Sequence, residues 1–288
     1  MLPTQQIDFT LITNGRPGEL KVTWVGHSSQ ILTMDGKIIL TDPMYENKTA
    51  LIGPSRYNGD VPLNLNELPE IDIVVISHNH YDHLNIGTIE AIHEKVKHFV
   101  VPLMVGAELE NIGVPREKIT ELDWWEETHL FGKFMIALTP AQHFSGRGLF
   151  DRDETLWGSY VIQGPYHKVF FSGDSGYFDG FKKIGLKYGP FDYTLMECGA
   201  YNETWHTIHM FPEESVQAHI DLNGKIMQPM HWGTFDLALH DWYDPMIRAA
   251  KAADSLGVTL STPIVGETIT IDENLKTDRW WEVYTSEK

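Results

Sequence analysis

Ile73-Val-Val-Ile-Ser-His-Asn-His-Tyr-Asp-His83 decides how the rest of the chain is read. The apolar run Ile73 to Ile76 is too short for a helix and predicts a buried strand that ends at Ser77. After the polar residues, Ile86, Ile89, Ile92 and Val96 recur at helical spacing and predict a helix. Between the two stand four metal-binding side chains, His78, His80, Asp82 and His83. Residues two apart in extended backbone point the same way, so His78 and His80 can share one ion. Asp82 and His83 follow where the chain must bend, and can face a second ion beside the first. Imidazole and carboxylate suit zinc, and also iron or manganese. A chance gathering on a polar loop is the bland explanation. Four ligand types directly after a buried strand make it a poor one.

Upstream, Leu20 to Val25 reads as a strand running into Gly26-His27. A hairpin follows, Gln30 to Met34 and Lys37 to Thr41 about Asp35-Gly36, a dipeptide suited to a two-residue turn. It delivers Asp42 to a strand end, where an acid can ligate a metal or hydrogen-bond a ligating histidine from behind. Residues 45 to 70, rich in Asn, Pro and Gly, read as a long surface loop.

Downstream strands are predicted at Phe99–Val101, Phe134–Leu138, Leu156–Gln163, Lys168–Ser172, Tyr193–Glu197 and Lys225–Met230. Short ones follow at Val258–Leu260 and Thr268–Ile271. Helices are predicted over Leu103–Ile112, from Pro212-Glu-Glu214, and from Asp244-Pro245 to Gly257. Three of the strands lead to candidate ligands: His143, Asp174 within Gly173-Asp-Ser-Gly176, and His231. Taken singly, His143 is as readily structural as ligating, and Asp174 reads as a turn acid. The glycines beside Asp174 would allow the close backbone approach that a carboxylate between two metals needs. Trp124 and Trp125 read as packing.

Composition narrows the classes. The chain has 288 residues, ample for a full core, and is 42% apolar and 22% charged. Its 40 acids outweigh 22 bases for a formal charge of -18, which disfavours nucleic acid as a partner. The single cysteine, Cys198, precludes an internal disulfide. No secretory signal and no membrane-length apolar run is visible, so a cytoplasmic location is expected, with membrane association left open. No repeat or linker interrupts residues 1–288, and one domain is expected.

Ser77-His78-x-His80-x-Asp82-His83, with His143, Asp174 and His231 at later strand ends, resembles the metallo-β-lactamase superfamily. Within it, from about Val22 to Glu267, the chain is similar to the N-acyl phosphatidylethanolamine-hydrolysing phospholipase D family and its bacterial relatives. Carrying that similarity are Thr23-Trp-Val-Gly-His27, Leu40-Thr-Asp-Pro43, the histidine run itself and Glu121-Leu-Asp-Trp-Trp-Glu-Glu127. Leu156-Trp-Gly-Ser159, Phe171-Ser-Gly-Asp-Ser-Gly-Tyr177, Gly199-Ala-Tyr201 and His231-Trp-Gly-Thr-Phe235 extend it. The resemblance implies an α/β fold, an αββα sandwich of two packed mixed sheets with helices outside. It implies two zinc ions per chain, one on His78, His80 and His143, the other on Asp82, His83 and His231, with Asp174 between them. It makes His209, ahead of Pro212-Glu-Glu214, the active-site histidine. Two departures stand out: residues 202–211 differ from the family's aromatic and basic pattern, and the longer N-terminal extension of the animal enzyme is not seen.

The implied reaction is a phospholipase D-type hydrolysis, in which a hydroxide bridging the two metals attacks phosphorus. Asp82, Asp174 and His209 are its expected catalytic residues, His209 as proton donor to the leaving group. Arg147 could hold a phosphate oxygen, although a surface role is the simpler reading. Asp42, His27 and Tyr177 are expected behind the ligands or against substrate. The substrate is expected to be a phospholipid or a smaller phosphodiester; peripheral membrane contact and a homodimer are both compatible with the sequence. A sugar-phosphate lactonase would need a compact basic pocket where a lipid enzyme needs an apolar groove. A non-enzymatic descendant of the fold is disfavoured, because all seven ligands are in place.

Overall fold

Two seven-stranded sheets face one another in this computed structural model, which describes residues 2–50, 52–271 and 275–285. The first helix, α1 (Phe9–Thr13), precedes β1 (Leu20–Gly26), β2 (Ser29–Met34) and β3 (Lys37–Thr41). Then come β4 (Ile71–Val75), α2 (Ile86–Ile92), β5 (Val96–Pro102), α3 (Val105–Asn111) and β6 (Ile119–Leu122). The second sheet takes β7 (Glu127–Leu130), β8 (Phe134–Thr139), β9 (Ser159–Gln163), β10 (Lys168–Phe171), β11 (Phe191–Glu197), β12 (Gly224–Met230) and β13 (Thr259–Leu260). Helices α4 (Gly180–Tyr188), α5 (Pro212–Asp221) and α6 (Asp244–Leu256) interleave with them, and β14 (Thr268–Thr270) returns to the first sheet beside β1.

Each sheet is mixed. β14 to β3 are antiparallel neighbours and β3 to β6 parallel ones; β7 to β10 are antiparallel and β10 to β13 parallel. In β4 every residue is buried, as a parallel strand covered on both faces requires. Ile73 and Val75 turn toward the other sheet, where they meet the layer of Leu138, Ile162, Phe171 and Leu195. Val74 turns outward to the layer that holds Ile89, Ile92, Val105 and Leu109 from α2 and α3. The second sheet is covered in the same way by Phe181 and Ile184 of α4, Val216 of α5 and Ala249 and Ala253 of α6. The arrangement is the αββα sandwich.

Some local expectations differ from the outcome. Val96 opens β5 instead of continuing the helix, which stops at Ile92. Residues 45–70 carry only one short turn of helix, yet they are not a plain surface loop. Arg56 is buried there and donates to the carbonyls of Glu46 (2.9 Å), Val25 (3.2 Å) and Met44, pinning the loop to the end of β1. Trp124 packs against the core between the sheets, as expected, and its Nε1 donates to the Trp157 carbonyl.

Strand direction positions the site. β3 and β4 run parallel, so Asp42 and His78 emerge at the same edge. In the second sheet β10, β11 and β12 are parallel, and β8 runs with β10 because both are antiparallel to β9. His143, Asp174, Glu197 and His231 therefore gather at one edge as well. Every candidate ligand lies at or just past the C-terminal end of a strand.

Candidate metal centre

Seven side chains named by the sequence meet there. His78, His80 and His143 each place a ring nitrogen within 4.8 Å of the others, and Asp82, His83 and His231 do the same with His27. Asp174 lies between the two groups. Its Oδ2 is 3.2 Å from His83 Nε2, 3.1 Å from His231 Nε2 and 3.9 Å from His143 Nε2.

The backbone bends sharply to achieve this. Asp42, His27 and His231 all have left-handed φ values (36°, 55° and 69°), a conformation that costs non-glycine residues energy and recurs at functional sites. Gly173, at φ 54°, brings Asp174 in against the first sheet, since a Cβ there would stand 2.6 Å from the Ser77 Cβ. Gly176 does the same for the 202–211 loop, because its Cβ would meet the Thr207 carbonyl oxygen at 2.2 Å.

Hydrogen bonds behind the ligands fix their orientation. Asp42 is fully buried; its Oδ1 accepts from the Ser77 amide (2.7 Å). Its Oδ2 accepts from the Ser77 hydroxyl and from His83 Nδ1, both at 2.6 Å. The Ser77 Oγ in turn lies 2.9 Å from His78 Nδ1. One carboxylate thus holds a histidine of each group, leaving Nε2 of both turned to the site. His143 Nδ1 donates to the Ile208 carbonyl (2.9 Å), and His27 Nε2 meets Asp82 Oδ2 at 3.0 Å. Both Asp42 oxygens are thus engaged behind the candidate ligands.

The donor set suits divalent cations. Nε2 of His83 and of His231, and Oδ1 of Asp174, are buried without a hydrogen-bond partner in the protein. Buried polar atoms left bare are costly, and a shared cation would satisfy them. Burial and the neighbouring imidazoles hold His78 well below the ordinary histidine range, and burial brings His80 down to about 4. Burial likewise holds His143 well below that range. Asp82 and Asp174 are opposed by burial but surrounded by imidazoles, and both end well below the usual carboxylate range. Neutral imidazoles and ionised carboxylates are the forms that bind metal. His83 differs: burial opposes its charge, but Asp174, Asp82 and Asp42 raise its pKa well above the ordinary value. That proton stands where three acids favour a cation.

A cavity of about 300 Å³ opens over this floor. Phe144, Ala200, Trp205, Ile208 and Leu237 form its walls, with His80, Asp82, His143, Asp174, His209 and His231 below. His209 sits between the two groups, its ring centroid 5.1 Å from that of His143 and 5.7 Å from that of His231. Burial opposes charge on His209, but the Glu197 carboxylate against Nδ1 outweighs it and lifts the pKa to about 9. Glu197 itself went unread in the sequence. Its place as the last residue of β11 is no signal by itself, and only the fold brings it against His209.

Arg147 and Tyr177 are placed elsewhere. Arg147 Nη1 donates to the carbonyls of Asn79 and Leu84 (both 2.7 Å), and its guanidinium lies over the Tyr81 ring. It braces the ligand loop from behind, with Nη1 engaged by both carbonyls, and does not line the cavity. Tyr177 donates its hydroxyl to Asp221 of α5 (2.5 Å) and stacks on Phe181, away from the cavity.

Comparison with known proteins places the site in a lineage. The beta-lactamase superfamily domain matches residues 37–232. An N-acyl-phosphatidylethanolamine-hydrolyzing phospholipase D of Caenorhabditis elegans is 35% identical over 78% of this chain and 67% of its own length. The chain belongs to the metallo-β-lactamase superfamily, close to these phospholipases D. The mitochondrial yeast enzyme of the same name is 33% identical over 81% of the chain and 51% of its own length. An uncharacterised Mycobacterium tuberculosis protein is 42% identical over 94% of the chain and 74% of its own length. Among solved structures, a metallo hydrolase from Ignicoccus hospitalis has the same fold, with a TM-score of 0.68 and 24% identity over 89% of this chain and 100% of that one. A diiron β-hydroxylase from Streptomyces venezuelae shares the metallo-β-lactamase fold with a TM-score of 0.64 and 20% identity, over 90% of this chain and 54% of its own. This superfamily member is a metal-dependent hydrolase. Among its described residues, no helix is long and apolar enough to cross a membrane.

Proposed function

We propose that the chain is a zinc-dependent phosphodiesterase, cleaving the phospholipase D-type bond of N-acyl phosphatidylethanolamine or a related phosphodiester. The observation that carries this reading is the cavity's division into a charged floor and apolar walls. Phe144, Trp205, Ile208 and Leu237 offer a surface for acyl chains, and no lysine or arginine lines the cavity among the described residues. A compact basic pocket, which a sugar-phosphate lactone would call for, is not what these walls provide. The two phospholipase D relatives at 35% and 33% identity support the same substrate class.

In this reading His78, His80 and His143 would hold one zinc and Asp82, His83 and His231 the other, with Asp174 placed between the two groups to serve both. Two cations there would supply positive charge for the phosphoryl oxygens and a water ionised near neutral pH. The chain's own residues do the rest. Asp42 and Ser77 keep Nε2 of His83 and His78 turned inward. His27 orients Asp82. The walls exclude bulk water from the reacting phosphodiester, which strengthens every charge interaction at the floor. His209, on the cavity floor between the two ligand groups, protonates the leaving alkoxide.

The test is hydrolysis of N-acyl phosphatidylethanolamine in mixed micelles by zinc-loaded protein, with products followed by mass spectrometry. N-acylethanolamine and phosphatidic acid are expected in equal amounts. Asp174→Asn should lower the rate on the order of 10³-fold or more, the scale seen when a charge-stabilising group is removed. A fully metallated protein that yields neither product sinks the lipid reading.

A further inference from the structure

Glu197 is the acid that neither metal group needs. As the last residue of β11 it is fully buried, where a carboxylate without partners would be costly. Its Oε2 accepts the Ser175 amide at 2.7 Å, which ties it to the residue after Asp174. Its Oε1 lies against Nδ1 of His209. Nothing else in the protein hydrogen-bonds that nitrogen among the described contacts, so the Glu197 carboxylate alone sets the orientation of the ring. With Nδ1 engaged, Nε2 is the nitrogen that can serve a substrate in the cavity that His209 lines. A buried carboxylate that fixes the tautomer of a cavity histidine is the arrangement by which proton-transferring imidazoles are held in several unrelated hydrolases.

We propose that Glu197 is a positioning residue, holding Nδ1–H and the ring of His209 so that the imidazolium turns Nε2–H to the leaving-group oxygen and is left as the Nδ1–H tautomer. The chemical half of this inference rests on the phosphodiesterase reading; the geometric half does not. In the reaction one P–O bond forms to the oxygen of water while the P–O bond to the alkoxide breaks. The alkoxide takes the Nε2 proton, and the imidazole recovers one as the attacking water loses its own. The competing role is metal ligation, since Glu197, Asp174 and His231 have one donor atom each within 4.8 Å of one another.

Three proteins decide the matter: wild type, Glu197→Gln and His209→Gln, each zinc-loaded and labelled with 15N in histidine. The Nδ1–H correlation missing from His209→Gln identifies His209, and in Glu197→Gln that correlation should shift or vanish while zinc stays at two per chain. On N-acyl phosphatidylethanolamine both variants should lose about 10²-fold in kcat with KM changed less than about 3-fold. The loss should be at least ~10-fold smaller on bis(p-nitrophenyl) phosphate, whose phenolate departs without a proton. An unchanged His209 signal in Glu197→Gln, loss of a zinc, or equal losses on the two substrates would overturn the proposal. If wild type cleaves neither phosphodiester, the substrate reading falls, and the histidine signal still decides whether Glu197 positions His209.

Discussion

The floor and the walls of the cavity are built on different principles. On the floor, His78 and His83 are held from behind by the buried Ser77 and Asp42. Those partners come from strand ends, and changing one disturbs several others. The walls come from loops. Trp205 and Ile208 belong to the 202–211 segment, where Glu203, Thr204, His206 and Thr207 are exposed, and the Trp205 ring donates from Nε1 to the Ala200 carbonyl. The candidate metal ligands therefore sit on or beside strand ends, while the apolar walls and His209 sit on loops, as is common where loops decorate a fixed scaffold.

Asp42→Asn should show the largest effect of that difference. The amide keeps one acceptor and loses the other, so it cannot receive the Ser77 amide, the Ser77 hydroxyl and His83 Nδ1 together. Since one carboxylate serves both ligand groups, both zincs should weaken together, by about 10–100-fold in affinity. Competition with a chromophoric chelator measures this directly. Weakening of a single zinc would mean that the Ser77 link to His78 carries no energy.

Trp205→Ala probes the other side. Zinc content should be unchanged, while KM for a long-chain substrate rises about 10-fold, as expected for losing part of one aromatic contact surface. A water-soluble phosphodiester should be turned over as before, since Trp205 touches none of the ligands. A parallel loss on the soluble substrate would show that the wall also shapes the floor.

The same division explains what could be read from the sequence. His78, His80, Asp82 and His83 are adjacent in the chain, and their spacing carries the geometry without help. The strands before His143, Asp174 and His231 were legible from apolar runs, but their meeting at one edge depends on parallel pairing that no local pattern encodes. The family resemblance supplied that step. Neither a phosphate contact nor a surface role for Arg147 anticipates that its Nη1 donates to the carbonyls of Asn79 and Leu84, because the local sequence does not show which carbonyls fold against it. Glu197 was passed over because an acid at a strand end has no signature until its neighbour is known to be His209. Arg56 hid in a loop whose composition looked like surface, since nothing local reveals that three carbonyls await it.

His219 sharpens the contrast from outside the site. Like His78 and His143 it is a buried imidazole, brought down to about 4 by burial, but its partner is a hydroxyl, Thr194 Oγ1 at 2.7 Å, and no carboxylate stands near enough to make a metal group. It has nothing to bind, so its neutral state should appear only as stability. A depressed histidine pKa means that the unfolded chain takes up a proton first as pH falls. The contribution is therefore present above about 6.5 and lost progressively toward about 4. Between pH 7.5 and 6 the loss is small, about 0.8 kcal/mol or roughly fourfold in the unfolding equilibrium. Urea unfolding of wild type and His219→Gln at both pH values isolates it, because the metal ligands contribute equally to the two proteins. Wild type should lose about 0.8 kcal/mol more than the variant over this range. Equal losses would mean that His219 is hydrated or already charged in the fold, and that burial alone does not keep an imidazole neutral in this protein. The low pKa values on the floor would then have to be credited to the neighbouring imidazoles instead.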